Sequence, residues 1–91
     1  MDKIIEEAKS LRKDIDNLPE VIEYRRLKTL YESDEELARM RKEIARLKAS
    51  GKEEERKNLL KIYESHPLVN NYEVAKQEVM DILLVIKNII Q

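Results

Sequence analysis

At 91 residues, with 41% charged residues and a formal net charge of −1 at pH 7, the chain is one domain at most, and we expect a single helical domain over residues 1–91. The balance of 18 basic against 19 acidic residues argues against a globally basic nucleic-acid binder. The sequence contains no cysteine, which excludes disulfides, thiolate metal sites and cysteine nucleophiles.

The composition predicts helices. One Gly and two Pro stand among abundant Glu, Lys, Leu and Arg, as is typical of helices joined by tight turns. The amino-terminal residues carry acid where a signal peptide needs a basic segment and then an apolar one. The most apolar window, Val79 to Ile90, is shorter than the ~20 residues that span a bilayer. We therefore predict an all-α cytoplasmic protein of about five helices, without strands or membrane insertion.

The first two predicted helices meet at Pro19. From Asp2 to Asp16 apolar residues recur at intervals of three and four, which indicates an amphipathic helix; they are Ile4, Ala8, Leu11 and Ile15. Proline fits the first turn of a helix and disfavours helical geometry at the residue before it. A second helix should therefore begin near Pro19.

The third and fourth helices are predicted to form an antiparallel hairpin about Gly51. The segment Ser33-Asp34-Glu35-Glu36 matches a capping box with Ser33 as the cap, so the third helix should run from about Asp34 to Ser50. Glycine adopts the left-handed conformation that ends a helix without strain. The fourth helix then covers Lys52 to Glu64.

The tip of this hairpin is expected to lack apolar cover. In an antiparallel hairpin about Gly51, Leu47 lies roughly opposite Glu55, and Ile44 lies roughly opposite Asn58. Because the start of the fourth helix is charged, the hairpin cannot bury its own tip. Either the first or second helix or a neighbouring chain must then cover the two apolar residues, and we favour a neighbouring chain.

The longest predicted helix, Pro67 to Ile90, carries two apolar stripes. The first should hold the subunit together and consists of Leu68, Tyr72, Ala75, Val79, Ile82, Ile86 and Ile89. A second stripe widens the apolar surface beyond what one small core needs. We therefore predict a homo-oligomer or hetero-oligomer built as a helical bundle, with an interface formed by Ile44, Leu47, Val69, Met80, Leu83 and Ile90.

A basic patch extends along the predicted third helix and into the turn that follows it, from Arg39 to Lys52. It contains one acid, Glu43, among six cations, which are Arg39, Arg41, Lys42, Arg46, Lys48 and Lys52. The patch could bind RNA or an acidic partner. Alternatively, its cations offset the dipole at the helix carboxyl end, an interpretation favoured by the acids that flank the patch and by the lack of interleaved aromatics for base stacking.

Other polar residues do not suggest catalysis. His66 is the only histidine and precedes Pro67, so we expect a residue that caps or joins helices rather than a general base or metal ligand. Clustered acids such as Glu53 to Glu55 are typical of solvated helix starts, and the serines lie in no nucleophile motif. The four tyrosines should pack in the core with their hydroxyls at its boundary. No enzyme activity, metal or cofactor is expected.

Two segments resemble the YlbF/YmcA family of small helical bacterial proteins. The first is Tyr63-Glu64-Ser65-His66-Pro67-Leu68-Val69-Asn70-Asn71-Tyr72, followed by Glu78-Val79-Met80-Asp81-Ile82-Leu83 and Ile86-Lys87-Asn88-Ile89-Ile90. The second is Leu18-Pro19-Glu20-Val21-Ile22-Glu23-Tyr24, leading through Leu30-Tyr31 to Asp34-Glu35-Glu36-Leu37. The similarity covers nearly the whole chain.

This resemblance implies a non-catalytic regulator of Gram-positive bacteria that acts through protein complexes in competence, sporulation and biofilm control. It also implies a possible complex with a family paralogue that directs the membrane-anchored endoribonuclease RNase Y in RNA maturation. Members reported to share iron–sulfur clusters use cysteines, which this chain lacks, so no cluster is expected. The alternative function is an RNA-contacting accessory protein that uses the patch from Arg39 to Lys52.

Overall fold

The computed structural model describes residues 2–90, with side chains described for residues 2–89. Five helices follow one another: α1 (Asp2–Asp16), α2 (Pro19–Ser33), α3 (Glu35–Ala49), α4 (Glu53–Glu64) and α5 (Pro67–Ile90). No strand occurs within residues 2–90. The predicted all-α class is confirmed, as are the predicted bounds of the first and last helices.

A single residue, Asp34, separates α2 from α3. Its backbone is extended, with φ −74° and ψ 117°, and its carboxylate accepts a hydrogen bond from the Leu37 N–H at 2.9 Å. The predicted cap, Ser33, is instead the last residue of α2, and its hydroxyl donates to the Thr29 carbonyl at 2.8 Å. The capping-box prediction was therefore wrong by one residue, and the Asp34 carboxylate satisfies one of the free amides of α3.

The turn between α3 and α4 depends on Gly51, whose φ is 73°. The Lys52 N–H donates to the Leu47 carbonyl at 3.0 Å, and the Gly51 N–H donates to the Lys48 carbonyl at 3.2 Å. These two bonds form a Schellman motif, which needs a residue in the left-handed region. Glycine adopts that conformation without steric cost, so the predicted hairpin turn at Gly51 is confirmed.

The helices pack as two antiparallel pairs joined end to end. α3 packs against α4, and α2 packs against α5. Tyr31 near the end of α2 stacks on Tyr72 near the start of α5, whereas Glu23 and Glu78 line one groove further along the pair. The molecule measures 56 × 23 × 20 Å, with a radius of gyration of 18.2 Å, compared with about 12 Å for a compact domain of this length.

The core is thin and runs through both pairs. Leu37 is its most deeply buried side chain, at 0% exposure. Its other members are Val21, Leu27, Leu47, Val69, Ala75 and Val79. Only Val21, Leu27, Leu37 and Leu47 come from helices before α5, so α5 supplies nearly half of the buried apolar residues.

Two residues predicted to face a partner are buried within the chain instead. Leu47 is 4% exposed, so the expectation that the hairpin leaves it uncovered was wrong. Its cover comes from within the chain, where α3 packs against α4. Val69 is 5% exposed because α2 and α4 both pack against α5.

α1 stands apart from this core. No residue of Asp2–Asp16 is buried, and within the described residues α1 packs only against α2. Asp16 accepts a hydrogen bond from Arg25 at 2.7 Å, which ties the end of α1 to α2. The apolar side of α1 therefore has no neighbour within residues 2–90 except at its carboxyl end, where Ile15 is half-buried.

Candidate protein-interaction surface

From Met80 onwards, α5 extends past the helix that covers its first part. The first buried residue of α2 is Val21, and the last buried residue of α5 is Val79. Beyond that level α5 exposes large apolar side chains at 45–76% of their surface. We call these residues the apolar end; they are Met80, Leu83, Leu84, Val85 and Ile89.

Within the apolar end, the run Ile82–Ile86 is aliphatic around the whole circumference of α5, and Asp81, Lys87 and Asn88 flank it. Successive helical residues point about 100° apart, so the run from Ile82 to Ile86 places aliphatic side chains in every direction. A helix that is hydrophobic all round is normally buried. Here Ile82 and Ile86 are only half-buried, so neither they nor the exposed side chains have the cover that such a sequence requires.

A shallow groove runs along one side of this end. Its lining residues are Asp81, Ile82, Val85 and Ile86, and its volume is about 260 Å³. Three aliphatic side chains form the surface, and the only charge is the Asp81 carboxylate, which accepts a hydrogen bond from Gln77 at 2.8 Å. The groove, here called the α5 groove, is thus an apolar strip with one acidic edge.

The predicted interface residues fall into three groups. Met80 and Leu83 are exposed, and Ile44 is half-buried. Leu47 and Val69 are buried within the chain, and the Ile90 side chain lies outside the described residues. Ile89 was assigned to the stripe that holds the subunit together, and that assignment was wrong because the residue is 76% exposed. Leu84 and Val85 were placed in neither stripe of α5, although the uninterrupted run Ile82–Ile86 indicated them.

The α1 face is a second apolar surface, formed by Ile4, Ala8, Leu11 and Ile15. Ile4 is 71% exposed and Leu11 is 41% exposed. The side chain of Ile5, next to Ile4, is 50% exposed. The α1 face and the apolar end do not pack against each other within residues 2–90. The molecule therefore presents two unpaired helical surfaces of the same chemical character.

A cluster of tyrosines joins the two helix pairs. Tyr72 of α5 is stacked on Tyr31 at 4.5 Å between ring centroids and on Tyr24 at 5.8 Å. The Tyr31 and Tyr63 hydroxyls share a hydrogen bond, and Arg41 donates to the Tyr63 hydroxyl at 3.4 Å. We call these five residues, which come from four helices, the tyrosine joint.

Burial changes the acidity of this joint. It raises the pKa of Tyr72 to about 12, with the adjacent Tyr24 adding to the effect. Burial is also the main cause that raises the pKa of Tyr63, and the Tyr31 hydroxyl adds to it. Ionised tyrosine is thus disfavoured here, as expected for hydroxyls withdrawn from water. The joint is a structural contact rather than a source of acid or base near neutral pH.

Comparison with known proteins identifies the family. A family model described as "Control of competence regulator ComK, YlbF/YmcA" matches residues 4–91, which is nearly the entire chain. The chain belongs to the YlbF/YmcA family. That family is regulatory by its description, in agreement with the expected class of function. No curated protein and no solved structure matches the chain.

The basic patch of this YlbF/YmcA protein is smaller than the sequence suggested. Arg41 is half-buried in the tyrosine joint, where its hydrogen bond to Tyr63 raises the guanidinium pKa. Arg46 donates from Nε to Glu43 at 2.9 Å, and this hydrogen bond lowers the pKa of that carboxyl. Five cations of the patch are exposed on or next to α3, and of these Arg46 is paired with Glu43: Arg39, Lys42, Arg46, Lys48 and Lys52.

His66 of this YlbF/YmcA protein lies at the start of α5. Its Nδ1 accepts a hydrogen bond from the Leu68 N–H at 3.1 Å, so it satisfies one of the free amides of the helix start. The prediction of a capping residue is confirmed. Within residues 2–90, no cluster of His, Asp and Glu is placed to hold a metal ion, and no helix is long and apolar enough to cross a membrane.

Proposed function

We propose that this YlbF/YmcA protein is a non-catalytic regulatory adaptor that acts by packing its helices against other protein chains. The single observation that supports this most strongly is the apolar end, whose aliphatic side chains are exposed on several sides of α5. Contiguous apolar patches on a protein surface mark interaction sites. The family description, control of the competence regulator ComK, supports competence as the regulated process.

The resemblance also supports a finer proposal for the pathway. Sporulation, biofilm control and RNase Y-dependent RNA maturation are processes in which family members of Gram-positive bacteria take part as components of protein complexes. A homo-oligomer or a hetero-oligomer with a family paralogue would bury the apolar end, and such an assembly could then contact the endoribonuclease. No step in this proposal needs a cofactor or a catalytic residue of the chain itself.

The test is complementation in the native cell. We expect deletion of the gene to change transcription from a ComK-dependent promoter, and expression of the wild-type chain to restore it. The double variant Met80→Glu/Leu83→Glu should fail to restore it, because two carboxylates make the apolar end costly to bury. Ile62→Glu is the matched control, since Ile62 is also exposed, at 60%, but lies on α4. Full complementation by the double variant would contradict the proposal.

A second function, contact with RNA, is supported by the five exposed cations of the basic patch, Arg39, Lys42, Arg46, Lys48 and Lys52. Neutralised phosphates release counterions, so such binding weakens steeply as salt rises. Reversing charge with Arg39→Glu/Lys42→Glu should then abolish a low-salt RNA gel shift without changing the oligomeric state. Absence of any shift by the wild-type chain at low salt would exclude direct RNA contact.

A further inference from the structure

We propose that the groove between α2 and α5 is a docking site for a basic amphipathic helix of a partner protein, with an arginine of that helix bound at Glu23 and Glu78. The groove, here called the α2–α5 groove, is separate from the apolar end and gives the chain a second protein-binding surface. Its volume is about 420 Å³. α2 contributes Glu23 and Leu27 to its lining, and α5 contributes Asn70, Asn71, Val74, Ala75 and Glu78.

The α2–α5 groove has the shape into which a third helix fits. Leu27 and Ala75 form its floor, at 7% and 6% exposure, and the other lining residues are exposed. The groove is therefore a shallow trough open to water along one side, whereas a small-molecule pocket encloses most of its ligand. Asn70 and Glu78 are eight residues apart on α5, so the trough is about 12 Å long. That length matches two turns of a helix docked by one face.

Both carboxylates lie at the same end of the trough. Tyr31 of α2 stacks on Tyr72 of α5, which fixes the level of the two helices relative to each other. Glu23 lies eight residues before Tyr31, and Glu78 lies six residues after Tyr72. Because the helices run antiparallel, both steps lead away from the stacked rings in the same direction, by about 12 Å and 9 Å. The groove thus has one acidic end.

The chain itself neutralises only one of these two charges. Arg26 donates from Nε to the Glu23 carboxylate at 3.0 Å, and this hydrogen bond lowers the pKa of that carboxyl, so Glu23 is ionised at neutral pH. Within residues 2–90, no cation forms an ion pair with Glu78. A guanidinium is the group that suits this end, because its planar fork donates to two carboxylate oxygens at once.

The middle of the groove is apolar. Val74 is 51% exposed and lies one turn before Glu78. Leu30 is 45% exposed and lies one turn after the floor residue of α2, so it extends the apolar surface away from the carboxylates. A docked helix therefore needs two aliphatic residues four apart and an arginine four residues beyond them, since such positions share one helical face at intervals of about 6 Å. Asn70 and Asn71 supply amide groups for a polar rim.

The charge of the groove selects its occupant. Two carboxylates repel phosphate, which argues against nucleic acid at this site. A purely apolar or acidic helix would leave both carboxylates without a partner in the contact, and burying an unpaired charge costs free energy. Opposite charge instead speeds encounter and fixes the orientation of the docked helix. The α2–α5 groove therefore favours a basic helix, in contrast to the uncharged surface of the apolar end.

A designed peptide tests the proposal on the full chain. The probe is an alanine-based helical peptide of about 16 residues, long enough to be partly helical in water, with two leucines four residues apart and an arginine four residues beyond the second. Heteronuclear NMR of the protein follows its binding. We expect saturable shifts of the amide resonances of Val74, Ala75 and Glu78, while that of Ile62, which is exposed on α4, stays unchanged.

Charge exchange shows whether the acidic end recognises the arginine. Glu78→Lys should weaken binding of the peptide about tenfold or more, as reversal of one member of a close charge pair does. The same peptide with its arginine replaced by glutamate should bind Glu78→Lys better than it binds the wild type. Glu73→Lys is the matched control, because Glu73 is exposed on the same helix but points about 140° away from Glu78. It should leave the affinity unchanged.

Four results would overturn the proposal. They are the absence of saturable shifts at millimolar peptide, shifts confined to the apolar end, equal losses in Glu78→Lys and Glu73→Lys, and groove shifts that grow with the concentration of the chain alone. The last of these would assign the groove to a second copy. Met80→Glu/Leu83→Glu should bind the peptide as the wild type does, because the groove ends before Met80. The peptide experiment and the complementation test of the proposed function can therefore fail independently.

Discussion

The guanidinium carbon of Arg41 lies 4.8 Å from the ring centroid of Tyr31, so a single cation of α3 lies over an aromatic ring of α2. The same guanidinium donates to the Tyr63 hydroxyl of α4 at 3.4 Å. Replacing Arg41 by Met keeps the stem but removes both interactions. We expect the free energy of unfolding to fall by about 1–2 kcal/mol, from the cation–π contact and one charged hydrogen bond.

Urea unfolding followed by circular dichroism measures this change. Arg39→Met is the matched control, because Arg39 lies on the exposed side of the same helix, and surface changes of this kind stay within about 0.5 kcal/mol. Equal effects of the two substitutions would show that Arg41 contributes no more than an ordinary surface cation and would refute its role in the tyrosine joint.

The tyrosine joint should make stability sensitive to alkaline pH. The pKa of Tyr72 is about 12 in the folded chain, against an ordinary value of 10.0. Between these values the unfolded chain loses the Tyr72 proton while the folded chain keeps it, so a rise in pH favours unfolding. The contribution of the protonated Tyr72 hydroxyl to the free energy of unfolding is complete below pH 10 and is lost as pH rises towards 12. The urea midpoint should fall over that range.

Tyr72→Phe is the control for this pH dependence. It keeps an aromatic ring between Tyr24 and Tyr31 but removes the group that titrates. Its urea midpoint should decline less between pH 10 and pH 12 than that of the wild type, and the absorbance change of tyrosinate should lose its latest-titrating component. If the urea midpoint of Tyr72→Phe declined as much as that of the wild type, the loss of stability at alkaline pH would come from groups other than Tyr72.

The carboxylate of Asp34 should be worth more to stability than the hydroxyl of Ser33. Asp34→Ala removes the hydrogen bond to the Leu37 N–H, and the loss of such a cap costs about 0.5–2 kcal/mol. Ser33→Ala removes only a bond from a hydroxyl to a carbonyl of its own helix. Thermal unfolding of the two variants decides between the caps; a larger loss for Ser33→Ala would restore the capping box predicted from the sequence.

Because Leu47 is buried within the hairpin, the destabilisation caused by truncating its side chain should not depend on protein concentration. Leu47→Ala should lower the free energy of unfolding by about 2–5 kcal/mol, as truncation of a buried leucine does. The loss should be the same at low and high protein concentration, because Leu47 is covered by its own chain. A destabilisation that disappears as concentration rises would return Leu47 to an interface between chains.

Most of the fold was predictable because local signals agree with each other. Pro19 and Pro67 begin helices, Gly51 ends one, and apolar spacing marks the inner faces, so helix order and the hairpin followed from the sequence. The cap position was missed because Ser33 and Asp34 are both favourable caps. Only the hydrogen bond of each side chain distinguishes them.

The interaction surface was predicted less completely. Met80, Leu83 and Val69 were all assigned to the second apolar stripe of α5, and of these only Val69 is buried. Its burial depends on how α2 and α4 flank the start of α5. Periodicity along one helix does not contain that information. The role of Arg41 was likewise hidden, since a charged residue at a helical position that faces two tyrosines has the same sequence signature as one that faces water.

We propose that the apolar end of α5 binds this protein to its partner chains, and the molar mass of the purified chain is the most direct test. Light scattering should give an oligomer for the wild type and for Ile62→Glu, and a folded 10.8 kDa monomer for Met80→Glu/Leu83→Glu. An oligomer that persists in the double variant would contradict the claim, because two buried carboxylates at the apolar end could not be tolerated.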